Sequence, residues 1–534
     1  MARVKINGVE VEVADGTNMI EAAKAVGVEI PHYCYHPHLS VAGNCRMCAV
    51  EIEAGGRGTE IACNMKARDG LAIRTDSPVV LQMRKSVMEF LLVNHPLDCP
   101  ICDQAGECRL QDYYADHGNY ESRLTDAKVT KPKRQDIGDL IVLDSERCVQ
   151  CSRCVRFGDE ITRTGELRLF NRGNHTEIGI FPGERLSHQY QGNLADICPV
   201  GALTNKDFRF QKRVWYLTET PSVCDGCATG CNIQVCHQEG QVFRYLPRRN
   251  DAVNQSWICD TGRASYKRIG GLSRVLKARV DGKTADLHAA ISAVVTRLRA
   301  NPEAVGVVLG ASSTNEANWA LLSVFRAQLP KARLFTCEGN DPDASTYHDD
   351  LLVSIDKNPN TSGVNILAAH AGGVGDRGAL FEALKAGELK VLVVLEDDVL
   401  GRLGDVPVET LVALSAWRTA TANRAAVLLP VSAHVEQEGT YTNRHGRVQR
   451  LNAALPPAGD SLPAYRVLEK LGVALGRSPG TDTARGAWKA LASAVSAYKG
   501  MTYKTIGKQG QQAAVPTTGT GPAATAGGAA QQSA

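Results

Sequence analysis

Polar and apolar residues alternate from the start of the chain. VKI at 4–6 and VEVEV at 9–13 flank Asn7-Gly8, which predicts a β-hairpin with a two-residue turn. Asn18 and Glu21 then offer a capping box for a short helix through Ile20, Ala23 and Ala25, closed by Gly27. At 78–94, PVVLQMRKSVMEFLLVN, the apolar residues Val80, Met83, Val87, Phe90 and Leu91 recur at helical spacing. IVL at 141–143 reads as a short strand, and QVCHQEGQVFRYLPR at 234–248 as a hairpin turning at Glu239-Gly240. After about residue 275 the chain becomes rich in Ala, Val, Leu and Gly. Segments 283–300 and 315–328 are expected to be helical, while AVGVVLG at 304–310 and LKVLVVLED at 389–397 suit buried parallel strands. Alternating strands and helices imply an α/β layered domain. GGVGDRG at 372–378 lacks the strand-to-helix setting and spacing of a nucleotide loop. From Thr505 onward, a run of Gln, Ala, Gly and Thr is expected to be disordered.

A length of 534 residues exceeds what one core usually serves, so several domains are expected. Sixty basic and 57 acidic residues leave a net charge of +3, which argues against a nucleic-acid protein with a basic face. The one dense basic run, KPKR at 131–134, is read as a solvated linker. No stretch is long and apolar enough for a membrane span, and the N-terminus starts a strand pattern rather than a signal peptide. Seventeen cysteines without an export signal are therefore expected to bind metal rather than form disulfides.

Sixteen of the cysteines and histidines fall into four groups. Cys34, Cys45, Cys48 and Cys63 follow the hairpin and helix with spacing C-x10-C-x2-C-x14-C. This keeps the central pair of the plant-type [2Fe-2S] pattern and lengthens its first loop. A Rieske reading of Cys34-Tyr35-His36 fails because the second loop offers Cys45 and Cys48, so His36 and His38 are taken as neighbours of the site. Tetrahedral zinc is the other reading of four thiolates. In HPLDCPICDQAGEC, 95–108, His95, Cys99, Cys102 and Cys108 converge in one loop held by Pro and Gly. A neutral imidazole in place of a thiolate makes a cluster easier to reduce. Cys148, Cys151 and Cys154 form C-x2-C-x2-C, and Cys198-Pro199 supplies the fourth member of the bacterial ferredoxin pattern for a single cubane. Cys224, Cys227, Cys231 and Cys259 form the last group, with Cys236 as a rival ligand whose alternation with Val235 and Val242 marks it as a small buried residue. Several cluster sites without a substrate pocket describe an electron relay.

The order of these motifs, with ERCVQCSRC, ICPVGAL, CDGCATGC and WICDTGR, resembles the large iron-sulfur subunit, of the 75 kDa type, of bacterial NADH:quinone oxidoreductase, respiratory complex I. The resemblance implies one [2Fe-2S] cluster on Cys34, Cys45, Cys48 and Cys63. It implies [4Fe-4S] clusters on His95, Cys99, Cys102 and Cys108, on Cys148, Cys151, Cys154 and Cys198, and on Cys224, Cys227, Cys231 and Cys259. In such proteins the last cluster is held to lie off the main path. LLPVSAHVEQEGTYTNRHGRVQ at 428–449 is similar to molybdopterin oxidoreductases, but the region is short for that family, so no molybdopterin is expected; Cys337 is read as a packing residue rather than a molybdenum ligand.

The fold class expected is multidomain α+β and α/β. It comprises a β-grasp [2Fe-2S] ferredoxin domain at 1–78, a His(Cys)3 [4Fe-4S] domain at 79–120, a ferredoxin-like [4Fe-4S] domain at 138–215 and a [4Fe-4S] domain of molybdopterin-oxidoreductase type at 217–273. A shortened molybdopterin-oxidoreductase-like α/β domain at 275–500 and a disordered tail at 505–534 complete it. Implied partners are the flavin/NADH subunit, the small [2Fe-2S] subunit and quinone-side cluster subunits of the peripheral arm, on the cytoplasmic face of the bacterial inner membrane. No catalytic residue, and no NADH or quinone site, is expected on this chain. The competing classes are a soluble NADH-linked formate dehydrogenase or hydrogenase and a zinc-stabilised scaffold.

Overall fold

The alternation at the N-terminus becomes a strand with one wet face: Ala2, Val4 and Ile6 are buried, and Arg3 and Lys5 are exposed. The structure, a computed structural model, describes residues 1–53, 58–337 and 346–514. Strand Ala2–Ile6 pairs antiparallel with Val9–Val13 across Asn7 and Gly8, whose φ values of 48° and 83° fit the hairpin turn. It also pairs parallel with Ala72–Arg74, giving a five-stranded sheet completed by Ala49–Ile52 and Thr59–Ile61. Helix Met19–Ala25 starts where the Asn18 side chain accepts from the Ile20 N–H at 2.9 Å. The expected capping box does not close. Glu21 instead meets Lys24 and the distant Arg249, each at 2.9 Å, because a fixed cation outcompetes a backbone amide for a carboxylate.

Helix Pro78–Leu92 begins at a Ser77 cap and buries Val80, Arg84 and Met88, one turn apart. Met83, Val87 and Leu91 flank this stripe half-buried, and Phe90 points outward, 79% exposed. The run KPKR is a loop with Pro132, Lys133 and Arg134 exposed, but its two lysines are anchored. Lys133 pairs with Asp98 at 2.8 Å and Glu146 at 2.6 Å, and Lys131 donates to the Thr176 carbonyl at 2.7 Å. The carboxylates that attract it come from remote segments, so no local pattern shows them. Small sheets follow: Leu203–Asn205, Ile141–Leu143 and Gln135–Asp136, then Thr218–Val223, Asn232–Gln238 and Gln241–Pro247, the last two turning at Glu239-Gly240.

The C-terminal half is built on a seven-stranded sheet. Strands Val427–Pro430, Thr410–Ser415, Val391–Leu395, Val305–Leu309 and Arg333–Thr336 run parallel in that order. Alternate residues divide between two cores: Val307, Val393 and Val412 face one, and Val308, Val394 and Ala413 the other. That division is why these strands read as unbroken apolar runs. Helix Leu287–Ala300 starts later than expected, because Lys283–Ala285 is the second strand of a hairpin across Asp281-Gly282, with φ of 47° and 79°. Helix Asn315–Gln328 covers one face, capped by Thr314. Residues 372–378 end one helix and begin the next: Gly372 terminates Thr361–Ala371 and Asp376 caps Arg377–Lys385.

Residues 505–514 are not disordered. Helix Tyr503–Ile506 buries Ile506, and Gln511–Gln512 adds a strand to Arg447–Leu451. Docking against a preformed strand supplies the partners that composition cannot reveal. Residues 515–534 of the expected tail lie outside the described residues. Among the described residues, no helix is long and apolar enough to cross a membrane.

Candidate metal centres

The first cysteine group hangs on the β-grasp sheet. Cys45 and Cys48 occupy the loop leading into strand Ala49–Ile52, tightened by Gly43 and Arg46 at φ of 63° and 58°, and Cys63 sits in the turn Ala62–Asn64. Asn18 Nδ2 donates to the Cys63 carbonyl at 2.6 Å, tying the turn to the helix cap. Cys34, Cys48 and Cys63 are buried and Cys45 is half-buried. Their thiols lie within hydrogen-bond reach: Cys45 and Cys63 on Cys34, and Cys63 on Cys48, hold those two low, while the same contacts push Cys45 and Cys63 up. His36 stands beside the group and stacks on Trp257 with ring centroids 5.0 Å apart, while His38 contacts Ser256 and Asp251.

In the second group Cys99 opens the turn Cys99–Ile101, and Cys108 stands at the start of helix Arg109–His117. Arg213 straps the loop by donating to the carbonyls of Cys102 at 2.6 Å and Pro100 at 2.7 Å. Gly106 (φ 90°) lies under the Trp215 ring, which a Cβ would meet at 2.7 Å. Burial pushes the Cys108 thiol up to about 11, and the Cys102 and Cys99 thiols add to the effect, so the three stand together. His95 enters from the end of helix Pro78–Leu92. Among the described residues it makes no hydrogen bond to the three thiols, but it shares the cation Arg147 with Cys102. Burial, with help from Lys128 and Arg147, lowers the His95 imidazole to about 4, which leaves it neutral at neutral pH, the form that ligates metals.

Cys148, Cys151, Cys154 and Cys198 are brought together across 43 residues. All four line one cavity whose other walls include Leu143, Ile178, Val200 and Leu203. Gln150 and Ser152 take left-handed φ of 52° and 59° to curl the loop, and the Gln150 N–H donates to Cys148 Sγ at 3.3 Å. Burial pushes Cys148 and Cys198 up to about 12 and Cys154 well above its usual value. Such thiols would stay neutral on their own, whereas coordination to iron deprotonates a thiol outright.

Cys224, Cys227, Cys231 and Cys259 are all buried, and burial, with Cys227 close by, pushes the thiols of Cys224, Cys231 and Cys259 up. The Cys224 N–H donates to the Cys231 carbonyl at 2.8 Å. Gly226 and Gly262 N–H groups donate to Cys224 Sγ at 3.4 Å and Cys259 Sγ at 3.2 Å. A Cβ on Gly262 would meet the sulfurs of Cys224 at 3.1 Å and Cys259 at 3.2 Å. Cys236 faces elsewhere: it opposes Arg244 across the sheet and contacts its guanidinium. Cys337, just past strand Arg333–Thr336, is packed in the second α/β core beside Asp397 and Arg402.

These sites fit iron–sulfur clusters. The donors are thiols and one imidazole, an apolar cavity lies among four of them, backbone N–H groups aim at sulfur, and glycines leave room beside it. Among the described residues no three His, Cys, Asp or Glu converge closely enough for a single metal ion.

Residues that local spacing did not single out join the groups. Arg156 donates to the carbonyls of Cys34 at 2.6 Å and Cys151 at 3.2 Å. Gly201, three residues past Cys198, presses so closely on Cys102 that a Cβ there would overlap the sulfur. One apolar core contains Cys34, Cys45, Cys108, Cys148, Cys151 and Cys198.

Comparison with known proteins agrees with this geometry. Residues 1–78 match the 2Fe-2S iron-sulfur cluster binding domain, and 84–123 the NADH-ubiquinone oxidoreductase-G iron-sulfur binding region. Residues 138–204 match the ferredoxin-like domain of NADH-quinone oxidoreductase subunit 3, 217–267 the NDSU1/NuoG-like 4Fe-4S domain, and 350–473 molybdopterin oxidoreductase. The chain thus carries [2Fe-2S]- and [4Fe-4S]-binding domains ahead of a molybdopterin-oxidoreductase domain. The NADH-quinone oxidoreductase G subunit of Rickettsia conorii is 39% identical over 331 residues, 61% of this chain and 49% of the relative. The mitochondrial NADH dehydrogenase [ubiquinone] iron-sulfur protein 1 of Solanum tuberosum is 38% identical over 344 residues, 63% of this chain and 46% of the relative. The chain spans about half the length of the curated relatives it matches.

Proposed function

We propose that this chain is an electron-relay subunit of a proton-translocating NADH:quinone oxidoreductase. In this reading a [2Fe-2S] cluster is held by Cys34, Cys45, Cys48 and Cys63, and [4Fe-4S] clusters by His95 with Cys99, Cys102 and Cys108, by Cys148, Cys151, Cys154 and Cys198, and by Cys224, Cys227, Cys231 and Cys259. Such clusters supply one-electron transfer at potentials set by burial, charge and hydrogen bonds to sulfur. The observation that carries the proposal is the common core of the first three groups. The Cys148 group adjoins both of the others, the first through Arg156 and the second through Gly201 against Cys102, which supports the reading.

The chain's own residues bury most of the sulfurs, leaving Cys99 exposed, orient some of them through loop N–H groups and hold His95 neutral. Electrons would arrive from a flavin-bearing NADH subunit and leave toward quinone through cluster subunits of the same peripheral assembly, at the cytoplasmic face of the bacterial inner membrane. No molybdopterin takes part.

The test is iron, acid-labile sulfide and metal analysis of anaerobically purified protein, with low-temperature EPR during dithionite reduction. About fourteen irons per chain, the sum of one two-iron and three four-iron clusters, is the expected result. Zinc without sulfide overturns the reading. Molybdenum moves the chain to the formate dehydrogenase class.

A further inference from the structure

Beyond residue 473, where the last family match ends, the chain builds a feature with no part in holding clusters. An open groove lies between helix Ala484–Ala494 and the segment from Lys499 to Lys504. Its charged lining residues are Arg450, Arg485, Lys489, Lys499 and Lys504, without a single carboxylate. Arg485, Lys489, Lys499 and Lys504 are exposed. Arg450 is oriented: its guanidinium lies 4.7 Å over the Tyr503 ring and donates to Asn452 Oδ1 at 3.0 Å. Five like charges around one groove repel one another, an arrangement that costs stability unless an anion is brought in. In a chain of net charge only +3, this concentration is local.

The form of the groove selects among anions. Trp488, Ala492 and Met501 lie at its base almost fully buried, so the accessible part of the groove is its cationic rim. Trp488 and Tyr503 are buried, one by packing on Tyr498 and the other under Arg450, so neither offers a ring for stacking bases. The apolar residues are recessed rather than protruding, the opposite of what insertion into a bilayer requires. Residues 515–534, VPTTGTGPAATAGGAAQQSA, contain no acidic residue and do not complement the groove.

We infer that this groove docks an acidic segment of a partner polypeptide, its carboxylates on Arg485, Lys489, Lys499 and Lys504. The inference rests on the reading of the chain as one subunit of a larger enzyme.

The assembled enzyme, isolated intact, is treated with a water-soluble carbodiimide, which joins lysine amines to carboxylates already in contact. Mass spectrometry is expected to find Lys489, Lys499 or Lys504 linked to Asp or Glu clustered in one segment of another subunit. The variant R485E/K489E should lower those links roughly tenfold, as reversal of rim charges weakens docking. The wild-type links should fall as salt is raised. Unchanged EPR and thermal melting of the variant exclude misfolding. Links confined to this chain overturn the inference. So does lysine-dependent cosedimentation with mixed phosphatidylserine and phosphatidylcholine vesicles, or with single-stranded DNA, which would assign the groove to lipid or nucleic acid. Protein without iron–sulfur EPR defeats the relay reading instead, whereas intact EPR with no links outside the chain defeats only the groove.

Discussion

A sulfur that holds a metal cannot turn aside, and this separates the glycines of the site from ordinary ones. A Cβ at Gly201 would overlap the Cys102 sulfur, while one at Gly262 would meet two sulfurs at 3.1 and 3.2 Å. A free thiol would rotate away at little cost; a ligated one transmits the clash to its cluster. Gly201→Ala is therefore expected to shift or abolish the EPR signal of the His95 group and cost about 1–3 kcal/mol, and Gly262→Ala to perturb the Cys224 group more mildly. Iron content and EPR of the two variants compare the effects. Cys198→Ala should remove about four irons per chain, while Cys236→Ala, altering a thiol that faces Arg244, should leave the count unchanged. Equal iron loss in both would show that the sheet cysteine had been assigned the wrong role.

Elements carry the charge balance of the C-terminal domain. Glu316 begins helix Asn315–Gln328, where the dipole and the Thr440 N–H at 2.8 Å favour its carboxylate. Burial wins, raising its pKa from 4.5 to about 7, and Glu396, which accepts from Ser313 at 2.6 Å, is raised to the same value. A carboxyl that binds its proton more tightly when folded stabilises below pH 4.5 and loses that contribution as pH rises through 7. Unfolding followed by urea should thus show stability falling between pH 4.5 and 7 by up to about 3 kcal/mol for each group. Glu316→Gln should flatten that slope. At the same helix, Thr314 Oγ1 accepts from the Ala317 N–H at 3.1 Å, and Thr314→Ala should cost about 1 kcal/mol, read from the denaturation midpoint.

At the scale of the molecule, one indole joins three cluster segments. Trp257 is buried between His36 of the ferredoxin domain, at 5.0 Å between ring centroids, and Phe157 of helix Arg153–Glu160, at 4.9 Å, and it lies two residues before Cys259. Trp257→Ala should cost about 3–5 kcal/mol and loosen the N-terminal domain. Limited proteolysis would then cut in the residues joining that domain to the rest sooner than in the wild type. Protection equal to the wild type would mean that the domains are held by their ion pairs, such as Arg249 with Glu21.

The sequence by itself determined where the cysteine motifs stand, the hairpin at Asn7-Gly8 and the buried strands Val305–Leu309 and Val391–Leu395, because spacing, turn chemistry and apolar periodicity are local properties. It also showed that Cys236, alternating with valines, belongs to a sheet. It could not show what depends on segments meeting from far apart. Lys131 and Lys133 look solvated until Thr176, Asp98 and Glu146 come near, and Glu21 looks like a capping residue until Arg249 arrives. Residues 505–514 look featureless until strand Arg447–Leu451 offers an edge. The adjacency of the Cys34, Cys148 and His95 groups, the role of Gly201 and the basic groove were likewise decided by tertiary structure. Each arises from contacts across tens to hundreds of residues, where the free energy of pairing outweighs any preference the local sequence expresses.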